Sequence, residues 1–356
     1  MAVEGARQIF EARQSLAEFF GINDCERLIF TPGCTASINM VLKGLCFDAF
    51  FKNGDRVVVS SLEHNSVMRP LEQLRKFSGI AVEIVPGGGD FMQRFQKSLD
   101  AAPPRMVVLN WASNVTGEIL PIDSAARLCK ERRIPLLVDA AQVAGKLPID
   151  LRELPGISFL SVSGHKGLMG PPGIGLLFVD PDYNLSPLIA GGTGSRSESF
   201  AVPAAYPDHL EAGTQAGPCI AGLHAGVQWL REETMEAIMS KEMRLAQRFL
   251  AWASESDAAK VYGPVYAVES TAEEARLPIV SFTLAGLTAA ELADVLDTKY
   301  GIATRAGLHC SSLCHKSLGT LEGGLVRASF GPFNQEAEVD ALCQALAAIS
   351  KESCVR

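Results

Sequence analysis

Short runs of Val, Ile and Leu alternate with helical patterns over the first half of this 356-residue chain. The runs are apolar throughout rather than at every second position, which is typical of parallel strands covered on both faces. Strands are predicted at residues 27–30, 56–60, 81–86, 106–110, 135–139, 158–163 and 174–179. Helices are predicted between them, for example at 36–45, 67–77 and 124–132. This pattern predicts an α/β fold with a mainly parallel seven-stranded sheet.

The second half of the chain follows a different plan. Residues 191–219 are rich in Gly, Ser and Pro and predict an irregular connection, and 220–254 predict one long helical stretch. A smaller α/β unit follows, with strands at 279–284 and 325–329 and helices at 289–297 and 335–349. Because this chain length favours two domains, we expect a large domain at 1–230 and a small C-terminal domain at 231–356.

Composition argues against several classes of protein. Apolar residues make up 47% of the chain and charged residues 20%, which indicates a globular protein with a large interior. No apolar run is long enough to span a bilayer and the first residues lack a signal-peptide pattern, so we expect a cytoplasmic protein without membrane contact. A net charge of −8 without a basic tract argues against nucleic-acid binding. Nine cysteines without a framework spacing predict free thiols in a reducing compartment.

Two charged residues stand where apolar strands end. Lys166 follows the strand predicted at 158–163 and precedes a stretch rich in Gly and Pro. Asp139 ends another strand, and Gln142 lies one helical turn later. Ligands of parallel sheets bind outside the carboxyl ends of the strands, and this pair suits pyridoxal phosphate: lysine forms the Schiff base and aspartate pairs with the pyridinium nitrogen. The alternative is two strand-end polar residues that share no ligand.

Further polar residues follow the other predicted strands. The turn at 31–36 (Thr-Pro-Gly-Cys-Thr-Ala) leads into a helix whose first N–H groups suit a phosphate, although an ordinary strand–helix turn has the same composition. Ser163 and His165 are candidates for further hydrogen bonds to that phosphate. His64 is a candidate catalytic residue that lies flat on the cofactor ring and passes protons, or else caps a local turn. Asn114 is a candidate ligand of the ring oxygen or of a substrate carboxylate.

Cys310 follows a Gly-containing turn and has basic residues around it. Arg305 and His309 precede it closely, and positive groups of this kind favour the reactive thiolate form. The alternative is a buried structural cysteine, the role expected of the other eight. Cys314 and the flanking histidines do not predict a zinc site, because the spacing is loose and a second ligand pair is missing. The proximity of Cys314 to Cys310 motivates the hypothesis that it relays sulfur.

Eight motifs occur in order from about residue 30 to the C-terminus: Ser-Leu-Glu-His64-Asn, Ser-Asn114-Val-Thr-Gly, Val-Asp139-Ala-Ala-Gln142, Gly-His165-Lys166-Gly, Gly-Gly-Thr193-Gly-Ser, Glu-Ala-Gly-Thr214, Arg305-x-Gly-x-His-Cys310 and Val-Arg327-Ala-Ser. With these motifs the chain resembles the cysteine desulfurase and selenocysteine lyase group of class V aminotransferases. Members of that group are pyridoxal phosphate enzymes of fold type I, with a large cofactor-binding domain and a smaller C-terminal domain.

The resemblance implies contacts to the cofactor ring. Lys166 would hold pyridoxal 5'-phosphate as a Schiff base, and Asp139 would keep the pyridine nitrogen protonated. Gln142 would bind the phenolic oxygen, and His64 would stack on the ring.

The resemblance also implies how the phosphate is held and how the chain assembles. Thr35, Ser163 and His165 would bind the phosphate, with help from the backbone of Cys34. Thr214 would reach the phosphate of a partner subunit, so a homodimer with active sites near the interface is expected.

The implied reaction is the desulfuration of L-cysteine. Arg327 and Asn114 would bind the amino acid carboxylate, and Arg305 is placed with them in the substrate site. The amine of Lys166 would remove the α-proton, and the thiolate of Cys310 would attack the substrate sulfur. The products would be L-alanine and a persulfide on Cys310, from which a sulfur-acceptor protein is expected to take the sulfur.

Other functions of this fold stay open at this point. A selenocysteine lyase would use the same residues on L-selenocysteine. Another class V reaction, such as transamination or β-elimination, would not need Cys310. A cofactor-binding scaffold without turnover is the alternative from outside the enzyme class.

Family members usually carry an additional N-terminal segment with an Asp-Asn-Ala-Ala-Thr run, and that run does not occur in this sequence. The resemblance places residue 1 partway along the family's first helix. In the family, we expect that segment to line the active-site entrance and to help build the small domain.

Overall fold

The computed structural model describes residues 2–264 and 276–353. Two β-sheets organise this part of the chain, one with seven strands and one with four. The larger sheet comes from the first half of the chain and the smaller sheet from its C-terminal third.

The larger sheet is mainly parallel, as the continuous apolar runs predict. Its strands are β1 (Leu28–Thr31), β2 (Arg56–Ser60), β3 (Ala81–Val85), β4 (Met106–Asn110), β5 (Leu136–Asp139), β6 (Phe159–Ser163) and β7 (Gly175–Val179). They lie in the order β1-β7-β6-β5-β4-β2-β3. Strands β2 to β6 pair in parallel, whereas β7 runs antiparallel to both of its neighbours. The connection from β6 to β7 contains no helix, which suits an antiparallel return.

Each face of this sheet packs against its own apolar core. In β2, Val58 enters one core, while Val57 and Val59 enter the other. The helices that cover the two faces are α1 (Ala2–Phe19), α4 (Phe91–Ala101) and α5 (Ile122–Glu131) on one side, and α2 (Cys34–Phe47) and α3 (Asn65–Ser78) on the other. A short 3-10 helix, Cys25–Arg27, precedes β1. Burial of both faces is the reason why the strands lack polar alternation.

The helical stretch predicted at 220–254 is confirmed, and it consists of two helices. The first, α6 (Gly217–Glu233), packs against α1, where Gln228 Nε2 donates to Ser15 Oγ at 3.1 Å. The second, α7 (Met235–Ser254), buries its apolar side in a third core under the smaller sheet. Thr234 separates them with a left-handed φ of 61°, and its hydroxyl caps α7 by accepting from the N–H of Ala237. The domain boundary at residue 230 stays a prediction.

The smaller sheet is antiparallel and carries helices on its covered face. Its strands, in the order β10-β11-β9-β8, are β8 (Ala259–Tyr262), β9 (Ile279–Leu284), β10 (Arg305–Gly307) and β11 (Leu325–Ser329). The remaining helices are α8 (Ala289–Tyr300), α9 (Ser312–Leu318) and α10 (Glu336–Ser353). The sequence does not predict the two edge strands β8 and β10, because both are short and neither is fully buried.

Side chains from the two sheets join above the carboxyl end of β4. Ser281 Oγ on β9 donates to the carbonyl of Val115 at 2.6 Å, and Arg327 Nη1 on β11 donates to the carbonyl of Asn114 at 2.8 Å. Lys146 forms an ion pair with the buried Glu242 of α7. These contacts hold the segment from β10 to α9 over the strand ends of the larger sheet.

Candidate active site

A cavity of about 550 Å³ lies at the carboxyl ends of β2, β4, β5 and β6. Ten of the predicted site residues line it: Cys34, Thr35, His64, Asn114, Asp139, Gln142, Ser163, His165, Lys166 and Arg305. Asp139 ends β5 and Lys166 follows β6, its neighbour in the sheet. The sequence predicted a shared site from strand ends alone, and the structure brings these residues to one cavity.

The carboxylate of Asp139 is buried and held by two donors. Its Oδ1 accepts from the N–H of Ala141 at 3.0 Å and from the thiol of Cys34 at 3.2 Å. Burial raises the pKa of Cys34 well above its usual value and Asp139 raises it further, so the thiol keeps its proton and donates. The hydroxyl of Ser161 lies 3.1 Å from the Cys34 sulfur. Sequence analysis assigned only the backbone of Cys34, and no sequence signal indicates its side-chain contact with Asp139.

The start of α2 forms one end of the cavity. Its N-cap residue Gly33 has φ 152° and ψ 171°, a conformation open essentially to glycine alone. No side chain caps this helix, so the N–H groups of Cys34 and Thr35 stay available to a ligand. Ser163 Oγ and His165 Nδ1 lie 3.2 Å apart at the same end. Free N–H groups, a hydroxyl and an imidazole together suit an anion of phosphate size.

His64 both lines the cavity and caps a helix. Its Nδ1 accepts from the N–H of Ser66 at 3.0 Å at the start of α3, so the proton of the neutral ring is on Nε2. Burial lowers the pKa of His64, and the positive charges of Lys166 and Arg305 lower it further, against the opposing effect of Asp139. The imidazole is therefore a neutral, half-buried ring at neutral pH. His64 can cap α3 and also face a ring bound in the cavity, so the two roles considered for it are compatible.

Cys310 stands on a strained turn between β10 and α9. It is the only exposed cysteine in the described part of the chain, which excludes the buried structural alternative for this residue. His309 and Cys310 have left-handed φ values of 52° and 59°, uncommon for residues with a side chain. Arg305 Nη2 lies 3.5 Å from the Cys310 sulfur. Cys310 itself is not among the residues that line the main cavity, whereas Arg305 is.

Hydrogen bonds from neighbouring backbone and side chains hold this turn in place. The N–H of Asn65, the first residue of α3, donates to the carbonyl of Cys310 at 2.8 Å. Asn114 Nδ2 donates to the carbonyl of His309 at 2.7 Å, and its Oδ1 accepts from Ser311 Oγ at 2.6 Å. Asn114 is therefore occupied by the turn and also reaches the cavity.

Arg327 lies at a second cavity of about 240 Å³, which shares Gln142 and Lys166 with the first. Its Nη1 donates to the carbonyl of Asn114, while its buried Nε finds no acceptor among the described residues. In β11 it pairs directly with Arg305 of β10. A guanidinium with a free buried donor beside Lys166 suits a carboxylate ligand.

Thr214 and Cys314 lie outside the site. Thr214 is exposed on the connection before α6 and does not line the cavity. Cys314 is fully buried, 3.8 Å from Ser113 Oγ, and burial raises the pKa of its thiol to about 12. A buried neutral thiol is a poor nucleophile, so the structure argues against Cys314 as a sulfur relay.

Glu63 is a buried acid at the site that sequence analysis does not assign. Its Oε1 accepts from Ser60 Oγ at 2.6 Å and from the N–H of Asn110 at 2.8 Å, which joins the ends of β2 and β4 beside His64. Its Oε2 is buried without a partner in the described residues. Burial raises the pKa of Glu63 to about 8. The only sequence signal was its place before His64.

The described residues lack two further kinds of feature. No group of three or more His, Cys, Asp or Glu side chains is arranged to hold a metal ion. Among the helices of residues 2–264 and 276–353, none has the length and apolar character needed to cross a membrane. Of the other cysteines, those at 34, 129, 314 and 343 are buried, those at 25, 46 and 219 are half-buried, and Cys354 lies outside the described residues.

Comparison with known proteins agrees with this geometry. The family model described as "Aminotransferase class-V" matches residues 1–342. A probable cysteine desulfurase from Methanothermobacter thermautotrophicus is 30% identical over 98% of this chain and 86% of its own length. Another from Pyrococcus abyssi is 31% identical over 93% of this chain and 80% of its own. The chain belongs to the cysteine desulfurase group of class V aminotransferases.

Solved structures of class V aminotransferases show the same fold. The apo cysteine desulfurase from Thermococcus onnurineus NA1 superposes with a TM-score of 0.89 at 28% identity, over 98% of this chain and 85% of that one. The Escherichia coli cysteine desulfurase CsdA, in an S-sulfonic acid form, gives 0.86 at 27% identity, over 98% and 85%. The predicted fold type I with a smaller C-terminal domain is thereby confirmed. The family is one of pyridoxal phosphate enzymes.

Proposed function

We propose that the chain is a pyridoxal phosphate-dependent cysteine desulfurase that converts L-cysteine to L-alanine and keeps the sulfur as a persulfide on Cys310. The observation that carries this proposal is the exposed Cys310 on a left-handed turn, beside an arginine that lines the Lys166 cavity. A transaminase has no use for an exposed thiolate in that position. Family membership supports the same conclusion.

The cavity fits pyridoxal phosphate in size and in chemistry. Free N–H groups at the start of α2, with Thr35, Ser163 and His165, would hold the phosphate. Asp139 is buried, lines the cavity and accepts from two donors, so its carboxylate is held in place to pair with a pyridinium nitrogen. Lys166 would attach the cofactor covalently. When bound, the cofactor supplies an electron sink that stabilises negative charge at the substrate α-carbon.

Two further residues that line the cavity would contact the cofactor ring. His64 presents a neutral imidazole to the cavity, so it can stack on a ring without adding positive charge. Gln142 lines both cavities and would donate to the phenolic oxygen.

The substrate carboxylate would bind at Arg327. Its buried Nε lacks an acceptor in the described part of the chain, and a carboxylate would supply one. Asn114 fixes Arg327 through its carbonyl, and Arg305 stands opposite in the paired strand. This places the amino acid between Lys166 and the Cys310 turn. The amine of Lys166 would then move the α-proton.

Sulfur transfer is the step assigned to Cys310. Its thiolate attacks the sulfur of the bound cysteine, an S–S bond forms, and the C–S bond breaks with its electron pair passing to the substrate carbon. A proton on that carbon completes L-alanine, and the second sulfur remains on Cys310. Arg305 contacts the Cys310 sulfur and also lines the cavity, so it links the nucleophile to the substrate site.

Assembly and sulfur delivery belong to the same proposal. Thr214 is exposed away from its own cavity, as a residue that reaches a partner subunit's phosphate would be, and we propose a homodimer. The exposed Cys310 can pass its sulfur to an acceptor protein without a conformational opening of the turn.

The test is release of alanine and sulfide from L-cysteine in the presence of pyridoxal phosphate and a thiol reductant. Wild type is compared with Cys310→Ala and with Cys219→Ala, a control at a half-buried thiol on α6. We expect alanine release to be lost in Cys310→Ala by at least ~10³-fold and to be unchanged in the control. Alanine release that survives in Cys310→Ala would instead assign another class V reaction, and a higher rate on L-selenocysteine would assign a selenocysteine lyase.

A further inference from the structure

We propose that His315 is a positioning residue for sulfur transfer: with Thr320 it orients His309, and His309 holds the turn that presents Cys310. This inference rests on the proposed role of Cys310 as the sulfur-accepting nucleophile. His315 lies on α9, five residues after Cys310, and its side chain is fully buried.

Three hydrogen bonds form a chain behind the reactive turn. His309 Nε2 lies 3.1 Å from the carbonyl of Arg305, and His309 Nδ1 lies 3.4 Å from His315 Nε2. His315 Nδ1 lies 2.9 Å from Thr320 Oγ1. The two imidazole rings are nearly parallel, with an interplanar angle of 20° and ring centroids 5.6 Å apart, which fits an edge-to-edge hydrogen bond.

The Arg305 end of this series of hydrogen bonds determines which nitrogen of each imidazole carries the proton. The carbonyl of Arg305 only accepts, so Nε2 of His309 must donate to it. Nδ1 of neutral His309 is then an acceptor, and His315 must donate from Nε2. Neutral His315 in turn accepts at Nδ1, and the donor is the hydroxyl of Thr320. All three contacts are satisfied by one arrangement of neutral rings.

The surroundings keep the rings neutral. Burial lowers the pKa of His309 to about 4, and the nearby positive charges of Arg327 and Arg305 lower it further, against the opposing bond to the Arg305 carbonyl. Burial also lowers the pKa of His315, against the opposing effect of a hydrogen bond with the Thr320 backbone. At neutral pH the hydrogen bonds therefore keep the same donors, from the hydroxyl of Thr320 to the carbonyl of Arg305.

The position of the Cys310 thiol depends on His309, because the backbone of the turn that carries both residues is strained. His309 and Cys310 both adopt left-handed backbone conformations, which persist only where surrounding contacts hold them. The ring of His309 links the start of the turn, at Arg305, to the helix that follows it. Without that link, we expect Cys310 to leave its position 3.5 Å from the Arg305 guanidinium.

The test compares His315→Leu, which removes the donor, with His315→Gln, whose amide N–H replaces the one at Nε2. Lys316→Ala is the control, because Lys316 is the next residue of α9 and is exposed. The readout is the rate at which iodoacetamide alkylates Cys310 in the cofactor-loaded protein, located by peptide mass spectrometry. Steady-state turnover of L-cysteine and the visible absorption of the cofactor are measured on the same samples.

We expect His315→Leu to slow alkylation about fivefold, the factor for one lost hydrogen bond, and to lower kcat about tenfold with a nearly unchanged KM. The cofactor absorption should match wild type in all variants. His315→Gln should recover at least half of both rates, and Lys316→Ala should match wild type. Wild-type rates in His315→Leu, or equal losses in His315→Leu and His315→Gln, would overturn the proposal.

Two features keep the outcome decisive. If His315→Leu does not fold, Thr320→Val removes the terminal hydroxyl at a half-buried site, and the proposal expects about a twofold slower alkylation. A Thr320→Val protein with wild-type alkylation and kcat would then overturn it. Alkylation does not depend on turnover, so a wild-type protein that releases no alanine would refute the proposed function while the alkylation series still decides the role of His315.

Discussion

The cofactor end of the site and the Cys310 turn are built in different ways. At the cofactor end, Asp139 and Lys166 stand at the ends of adjacent buried strands, and the start of α2 contributes its backbone. At the turn, an exposed thiol stands on left-handed backbone that is held by side chains from both sheets. The first region follows from the regular sheet, whereas the second depends on contacts between residues distant in sequence.

This difference separates the two halves of the proposed chemistry. The region that handles the α-carbon needs charged groups at fixed places, and a buried sheet provides them without strain. The region that handles sulfur needs an accessible nucleophile, so it cannot be buried and must be anchored by hydrogen bonds instead. We therefore expect substitutions in one region to leave the other intact, with Asn114 and Arg305 as exceptions, because both line the cavity and contact the Cys310 turn.

Lys166→Ala should have the largest effect and should be confined to the cofactor end. We expect alanine release to fall by at least ~10³-fold, because the covalent anchor and the amine that moves the α-proton are both lost. Retention of the cofactor on dialysis should fall, while Cys310 alkylation stays at the wild-type rate. Lys130→Ala, at an exposed position on α5, is the control. A parallel loss of Cys310 alkylation would break the comparison, because it would show that the turn depends on the cofactor end.

Asn114→Ala should damage both regions. It leaves the carbonyl of His309 and the hydroxyl of Ser311 without their buried partner, at a cost of about 1–3 kcal/mol in the free energy of unfolding. We expect turnover to fall ~100-fold, because the Cys310 turn loses the side chain that anchors it and the cavity loses a polar group.

The control for Asn114→Ala is Ser312→Ala, which removes an exposed hydrogen bond to Asn65 at the same turn. Its expected effect on the free energy of unfolding is within about 0.5 kcal/mol. Denaturant unfolding and turnover measure both variants. An Asn114→Ala protein as stable and as active as Ser312→Ala would remove the link between the regions.

Glu63→Gln tests the buried acid of the cofactor end through pH. The folded protein raises the pKa of Glu63 from 4.5 to about 8, so between these values the folded state binds more protons than the unfolded state. The contribution of Glu63 to the free energy of unfolding is therefore complete below pH 4.5 and is lost as the pH rises through 8. Glutamine keeps the acceptor for Ser60 and Asn110 without a proton to lose.

Melting temperatures of wild type and Glu63→Gln between pH 5 and pH 9 measure this effect. Wild type should lose several degrees more than the variant over that range, which corresponds to at most about 4 kcal/mol, because each pH unit between 5 and the raised pKa contributes about 1.4 kcal/mol. Identical pH profiles for the two proteins would refute the assignment of Glu63 as a neutral acid. Glu291→Gln, at an exposed capping position on α8, serves as the control.

Cys314→Ser should have the smallest effect of these substitutions, and it tests whether Cys314 takes part in sulfur transfer. The thiol is buried beside Ser113, so the substitution is expected to cost about 1 kcal/mol of stability and to change turnover less than twofold. Thermal unfolding and sulfide release check both statements. A loss of sulfide release that exceeds the loss of stability would restore Cys314 as a relay.

Much of the cofactor end could be predicted from the sequence. The predicted strands coincide with β1 to β7 within a few residues, and the polar residues at their ends line one cavity. The prediction did not mark Thr234, whose positive φ divides the helical stretch at 220–254 into two helices. It also missed Glu63 and the thiol of Cys34, whose roles depend on burial and on partners that no local pattern marks.

The sequence by itself determined where the strands end and which residues follow them, because an apolar run defines a buried strand and parallel strands present their carboxyl ends at one edge. Family motifs added the expected chemistry of each residue. Only the tertiary structure decided which thiol is exposed, that Cys314 is buried, and how the reactive turn is held. The contacts that hold it join Asn114 to residues 195 and 197 positions further along the chain, and only folding brings such residues together.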